Sequence, residues 1–111
     1  MAKYLMLLHK DPRTAIDRDP AETAAVIERY RAWSQGLRSR GKVLLGEKLQ
    51  DEGGFRLSRG GAEPIAAGAS ADMVGGLFLI DAADAAEAEA IGRSCPHLEG
   101  GWIELRPIHE T

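Results

Sequence analysis

Only one cysteine, Cys95, occurs among the 111 residues, so the chain forms no internal disulfide. It opens on no leader pattern of basic residues, apolar run and small-residue cleavage site, and together with the lone thiol this predicts a cytoplasmic protein. Long apolar runs are also missing. The longest, YLMLL from Tyr4 to Leu8, is far short of the ~20 residues that a membrane-spanning helix needs, so no membrane partner is expected. Nor is there an excess of positive charge. Lys plus Arg number 14 against 17 Asp plus Glu, a net charge of −3, which leaves no electrostatic footprint for nucleic acid. No repeat or low-complexity tract interrupts the chain, and its length suits one domain, residues 1–111, built on one core.

What is present is a series of short elements with clear boundaries. KYLMLLH (3–9) is apolar without alternation, the pattern of a strand covered on both faces. Asp19-Pro20-Ala21-Glu22 then supplies an N-cap acid, a proline for the first helical position and an acid three residues after the cap. Val26, Tyr30, Trp33 and Leu37 follow on one helical face, and Gly41 ends the helix. KVLLGEKL (42–49) reads as a second strand, with FRLSR (55–59) as its hairpin partner across QDEGG. Residues 60–71 read as loop, with room for a short strand near Ile65. MVGGLFLID (73–81) is again apolar on both faces. Asp84 and Glu87 repeat the capping chemistry for a second helix that carries Ala88, Ile91 and Cys95 on one face and stops at Pro96. WIELRPI (102–108) alternates as a last strand.

The order matches an α+β, ferredoxin-like split βαβ sheet with two helices on one face. The first strand and LFLI place apolar side chains on the other face as well, and an uncovered patch of that size predicts a homodimer packed sheet to sheet.

The chemistry-bearing residues fall near the C-terminus. On the last strand Trp102, Glu104 and Arg106 share one side while Ile103 and Leu105 share the other. With the apolar pair toward the helices, an aromatic, an acid and a guanidinium line the space between sheet and partner, a lining that suits a small anionic or aromatic ligand; cross-strand ion pairs are the alternative use of the two charges. His9, at the end of the first strand, joins this group as a ligand-binding candidate. His97, directly after Pro96, is placed either as a general acid or base at the cleft edge or as a cap on the helix's last carbonyls. Cys95 belongs to an apolar stripe and reads as a buried small hydrophobe rather than a nucleophile. One cysteine and one histidine two residues apart do not make a zinc site, and no glycine-rich segment carries the spacing of a phosphate loop. No metal and no cofactor are expected.

KYLMLLH, YRAWSQGLRSRGKVLLGEKL, VGGLFLID and CPHLEGGWIELRPI together resemble the YCII-related domain, in its DGPF-type branch, over nearly the whole chain. The resemblance implies a ferredoxin-like fold that pairs into a dimeric α+β barrel. The branch's Asp-Gly-Pro-Phe signature is missing: Pro64, Ile65, Ala66 and Ala67 hold its places, and Asp72 matches an acidic position near its end. Relatives also carry a histidine in the first helix and an aspartate before the proline after the second, positions filled here by Tyr30 and Cys95.

Two functions follow as expectations. The first is a small-molecule-binding or regulatory dimer; some relatives are associated with sigma-factor-type regulators, which extends this reading to a transcription-regulator partner. The second is a lyase- or isomerase-like enzyme acting on a small aromatic or carboxylate substrate, with His97 as acid/base, Asp72 beside it, and Arg106 holding the anion.

Overall fold

The computed structural model describes residues 2–10, 19–50, 53–65 and 74–110. Strand β1 (Ala2–Lys10) leads to helix α1 (Pro20–Ser39), then to β2 (Val43–Lys48), β3 (Phe55–Ser58), β4 (Gly61–Pro64) and β5 (Val74–Ala82), helix α2 (Ala85–Arg93), a 3-10 turn (Pro96–Glu99) and β6 (Gly101–Pro107). Both helices start as the capping chemistry requires. Asp19 accepts from the Glu22 amide at 2.8 Å with Pro20 in the first turn, and Asp84 accepts from the Glu87 amide at 2.9 Å. After α1 the chain turns at Gly41, whose φ of 72° is the left-handed conformation that a side chain disfavours.

The main sheet has four strands in the order β2-β5-β1-β6, and each neighbouring pair is antiparallel. With β3 and β4 set aside, this is the ferredoxin-like α+β order read from the sequence, with its two helices on one face. Registers place Met6 opposite Phe78 and Leu105, so these side chains share the helix-facing side with Leu8, Ile80 and Ile103. Leu37 of α1 and Ala88 and Ile91 of α2 close over them. Met6 and Ile80 are fully buried, and burial of each contributes about 1.5–3 kcal/mol. Lys42, just before β2, ties this layer to α2 through a 2.7 Å ion pair with Glu87. That contact, with the Ala83 amide, holds the Glu87 carboxyl below its ordinary pKa.

Two expectations need correction. FRLSR does not pair with the second strand. It closes on β4 across the two-residue connection Arg59-Gly60, in a separate two-stranded sheet, while β2 pairs with β5. The short strand allowed for near Ile65 is β4, lying just before it at Gly61–Pro64, where GAEP itself has little strand propensity. The second helix also ends earlier than Pro96: Arg93 is its last residue and Ser94 its C-cap, and Pro96 instead opens the 3-10 turn as its first residue. Cys95 still reaches the core, 3% exposed, from the extended residue between the two.

Candidate functional site

The face of the sheet away from the helices carries Leu5 and Leu7 of β1 opposite Leu79 and Leu77 of β5, with Leu45 of β2 beside Leu79. At the end of this face the chemistry gathers. His9 lies opposite Trp102 in the β1–β6 register, and their rings stack at 3.8 Å with an interplanar angle of 3°. His9 Nε2 stands 3.2 Å from Glu104 Oε1, and the other carboxylate oxygen stands 3.5 Å from an Arg106 guanidinium nitrogen. The four residues expected to bind a ligand therefore form one continuous cluster, from imidazole to indole on one side and to carboxylate and guanidinium on the other.

The stack and the ion pair have different consequences. One indole face is covered by His9, yet Trp102 remains 41% exposed, so its remaining surface is open to a second ring. His9 itself is only 8% exposed, held between the indole and the carboxylate. Arg106 is mostly solvated, and its contact with Glu104 is long, so most of its hydrogen-bonding capacity faces outward.

His97 lies outside this cluster and meets it through the backbone. Its Nε2 sits 2.6 Å from the His9 carbonyl oxygen, and its Nδ1 sits 3.0 Å from the Tyr30 hydroxyl. A carbonyl only accepts, so Nε2 carries the proton and donates; Nδ1 then accepts from the Tyr30 O–H. Both ring nitrogens are thus engaged inside the chain. Burial pushes the His97 pKa below its ordinary value, aided by the nearby charges of His9 and Lys10 and partly offset by the carbonyl contact. Gly101 lets this arrangement close: a Cβ there would run into the His9 carbonyl oxygen and come within 2.5 Å of His97 Nε2. His97 does not cap α2, whose last turn is completed by Ser94.

The remaining candidates separate. Asp72 lies outside the described residues. Cys95 is buried, and desolvation raises its thiol pKa to about 11, so it holds its proton at neutral pH. No group of three or more metal-ligating side chains assembles among the described residues. A groove of about 300 Å³ between the helices is lined by Leu37, Lys42, Glu87 and Ser94, but its lysine is already paired with its glutamate. Sequence reading left the Tyr30–His97 contact unseen. The one available signal was that Tyr30 and Cys95, two residues before His97, fill the positions of the relatives' histidine and aspartate.

The profile of the YCII-related domain matches residues 2–111. The chain belongs to the YCII-related family. A comparison with curated proteins found no match. Within the YCII-related fold of this chain, Tyr30 on α1 and the segment after α2 face each other across the end of the sheet, and the hydroxyl–imidazole contact occupies that position. No helix among the described residues is long and apolar enough to cross a membrane.

Proposed function

We propose that this YCII-related chain is a homodimeric binding module that holds a small planar acid between the open sheet face and the partner subunit. The observation that supports it is the His9–Trp102–Glu104–Arg106 cluster at the end of a face that also carries Leu5, Leu7, Leu45, Leu77 and Leu79. The leucines favour a second sheet as their cover, because apolar area removed from water is worth about 25 cal/mol per Å². The polar end then lies at the rim of that contact. A ligand ring stacks on the exposed part of Trp102, its carboxylate pairs with Arg106, and Glu104 accepts from a ligand hydroxyl or amine. The test has two parts. Sedimentation at micromolar concentration is expected to give a dimer, and a stable monomer overturns the reading. A thermal-shift screen of aromatic acids is expected to yield a stabilising ligand whose effect is lost in Arg106→Ala; an unchanged shift removes Arg106 from the site.

One observation favours a catalytic use of the same place. A histidine held by a carboxylate beside a guanidinium is the arrangement of a general acid/base next to an anion clamp. In this second reading, a lyase- or isomerase-like proton transfer, His9 oriented by Glu104 takes the acid/base role, and His97, held by Tyr30 and the His9 carbonyl, braces the strand end that carries it. Exchange of a C–H proton adjacent to the carboxylate of a bound acid in heavy water, followed by NMR, is expected for the wild type and lost in His9→Asn. No exchange in the wild type leaves binding alone.

A further inference from the structure

The β3–β4 hairpin is built to bury a face that its own chain leaves open. Its register pairs Phe55 with Pro64 and Leu57 with Ala62, so all four fall on one side, while Arg56, Ser58 and Glu63 fall on the other. That alternation belongs to a half-buried strand pair. Yet Phe55 is 67% exposed and Leu57 75%, and the two strands form a sheet of their own. A two-stranded hairpin by itself is marginally stable in water, so a cover for this face is expected.

Size and topology both point to a second copy of the chain. Four strands of six to nine residues, about 4.8 Å apart and rising about 3.3 Å per residue, give the open face of the main sheet roughly 500 Å² in plan. A standard stable interface buries roughly 800 Å² of accessible surface per partner, so this face has a footprint of the order that a dimer contact needs, and apolar surface next to it extends the contact. The hairpin's apolar side adds to it: Leu57 and Phe55 are the most exposed large hydrophobic side chains among the described residues. Lys48, Gly76, Leu8 and Ile103 pair in one row across the sheet, so the end of β2 that leads into the hairpin lies at the same end as His9 and Trp102. β2 and β6 are the two opposite edges. When two copies pack face to face about a two-fold axis along the strands, β2 of one copy lies over β6 of the other with matching ends.

We infer that the hairpin is an arm that crosses to a second copy and lays Phe55 and Leu57 against the edge carrying Trp102, closing the rim over the His9–Trp102–Glu104–Arg106 cluster. The inference rests on the sheet-to-sheet dimer proposed above, and each binding site is then completed by both copies.

Two measurements test it. Sedimentation of the double variant Phe55→Ser, Leu57→Ser is expected to show a folded chain, by far-UV circular dichroism, whose dimer dissociation constant is at least tenfold weaker than that of the wild type. Separately, a tagged Leu57→Cys chain mixed with an untagged Trp102→Cys chain is expected to give the mixed disulfide on mild oxidation, with buried Cys95 silent. A wild-type monomer overturns the dimer and the arm together. A wild-type dimer with an unchanged dissociation constant in the double variant overturns the arm alone. So does a Leu57→Cys chain that couples only to another Leu57→Cys chain, which is arm-to-arm contact. An intrachain disulfide in the Leu57→Cys, Trp102→Cys double variant, without the mixed one, places the arm on its own sheet and equally overturns the inference.

Discussion

His97 and His9 meet ring to backbone, with the Nε2–H of His97 donating to the His9 carbonyl oxygen at 2.6 Å. The contact anchors the end of β1 to the 3-10 turn, and Tyr30 anchors that turn in its place from α1. The ring works as a strut in its neutral form.

Stability should therefore decline on mild acidification. Burial lowers the pKa of His97 in the folded state, so the unfolded chain binds its proton first. The stabilisation from the neutral ring is complete above the unfolded value of about 6.5 and is lost as pH falls through and below it. Thermal melts between pH 8 and pH 5 are expected to show this loss for the wild type and to flatten between pH 7 and 5.5 for His97→Gln. Equal slopes for the two proteins would remove His97 as the cause.

Tyr30→Phe keeps the ring on the core face of α1 and deletes the donor to Nδ1. Loss of one partly buried hydrogen bond is expected to cost about 1 kcal/mol in urea unfolding at pH 7.5. A variant as stable as the wild type would mean that the hydroxyl contributes nothing to the strut.

Gly101→Ala and Gly36→Ala should move in opposite directions. At Gly101 the new methyl runs into a backbone oxygen and the His97 ring, and overpacking of this kind costs about 1–3 kcal/mol. At Gly36, inside α1, nothing lies within 4 Å of the added Cβ, and the better helix former stabilises by up to about 1 kcal/mol. Chemical denaturation of both variants checks the pair.

Cys95 is expected to react with an aromatic disulfide reagent only as fast as the chain opens. Its thiol is buried and its pKa stands at about 11, so little thiolate is present at pH 8. Prompt labelling of the folded protein, at the rate seen in denaturant, would contradict its place in the core.

Much of this architecture was legible from local signals. Asp19-Pro20 and Asp84 mark the helix starts, the unbroken apolar runs mark β1 and β5, and the alternation in β6 sends Trp102, Glu104 and Arg106 to one side. What failed was the choice of partner. Nearness in sequence pairs FRLSR with KVLLGEKL, whereas a two-residue connection joins it to GAEP, whose glycine, alanine, glutamate and proline carry little strand propensity. The stack of His9 on Trp102 and the strut of His97 against Tyr30 join segments remote in sequence. Periodicity says which face a residue takes, and only the register between strands says which residue it meets there.

The two tryptophans sit on opposite sides of one sheet. Trp33, on α1, meets the edge of the Phe78 ring at 5.0 Å and donates from Nε1 to the Ser94 hydroxyl at 2.8 Å, while Trp102 stands at the rim of the other face. Each indole therefore emits from its own surroundings, one reporting how the helix seats on the strands and the other reporting what arrives from outside. Replacing either with phenylalanine leaves a single tryptophan, which can be excited selectively over the two tyrosines at the red edge of absorption, so the two layers of the molecule can be watched one at a time without an added dye.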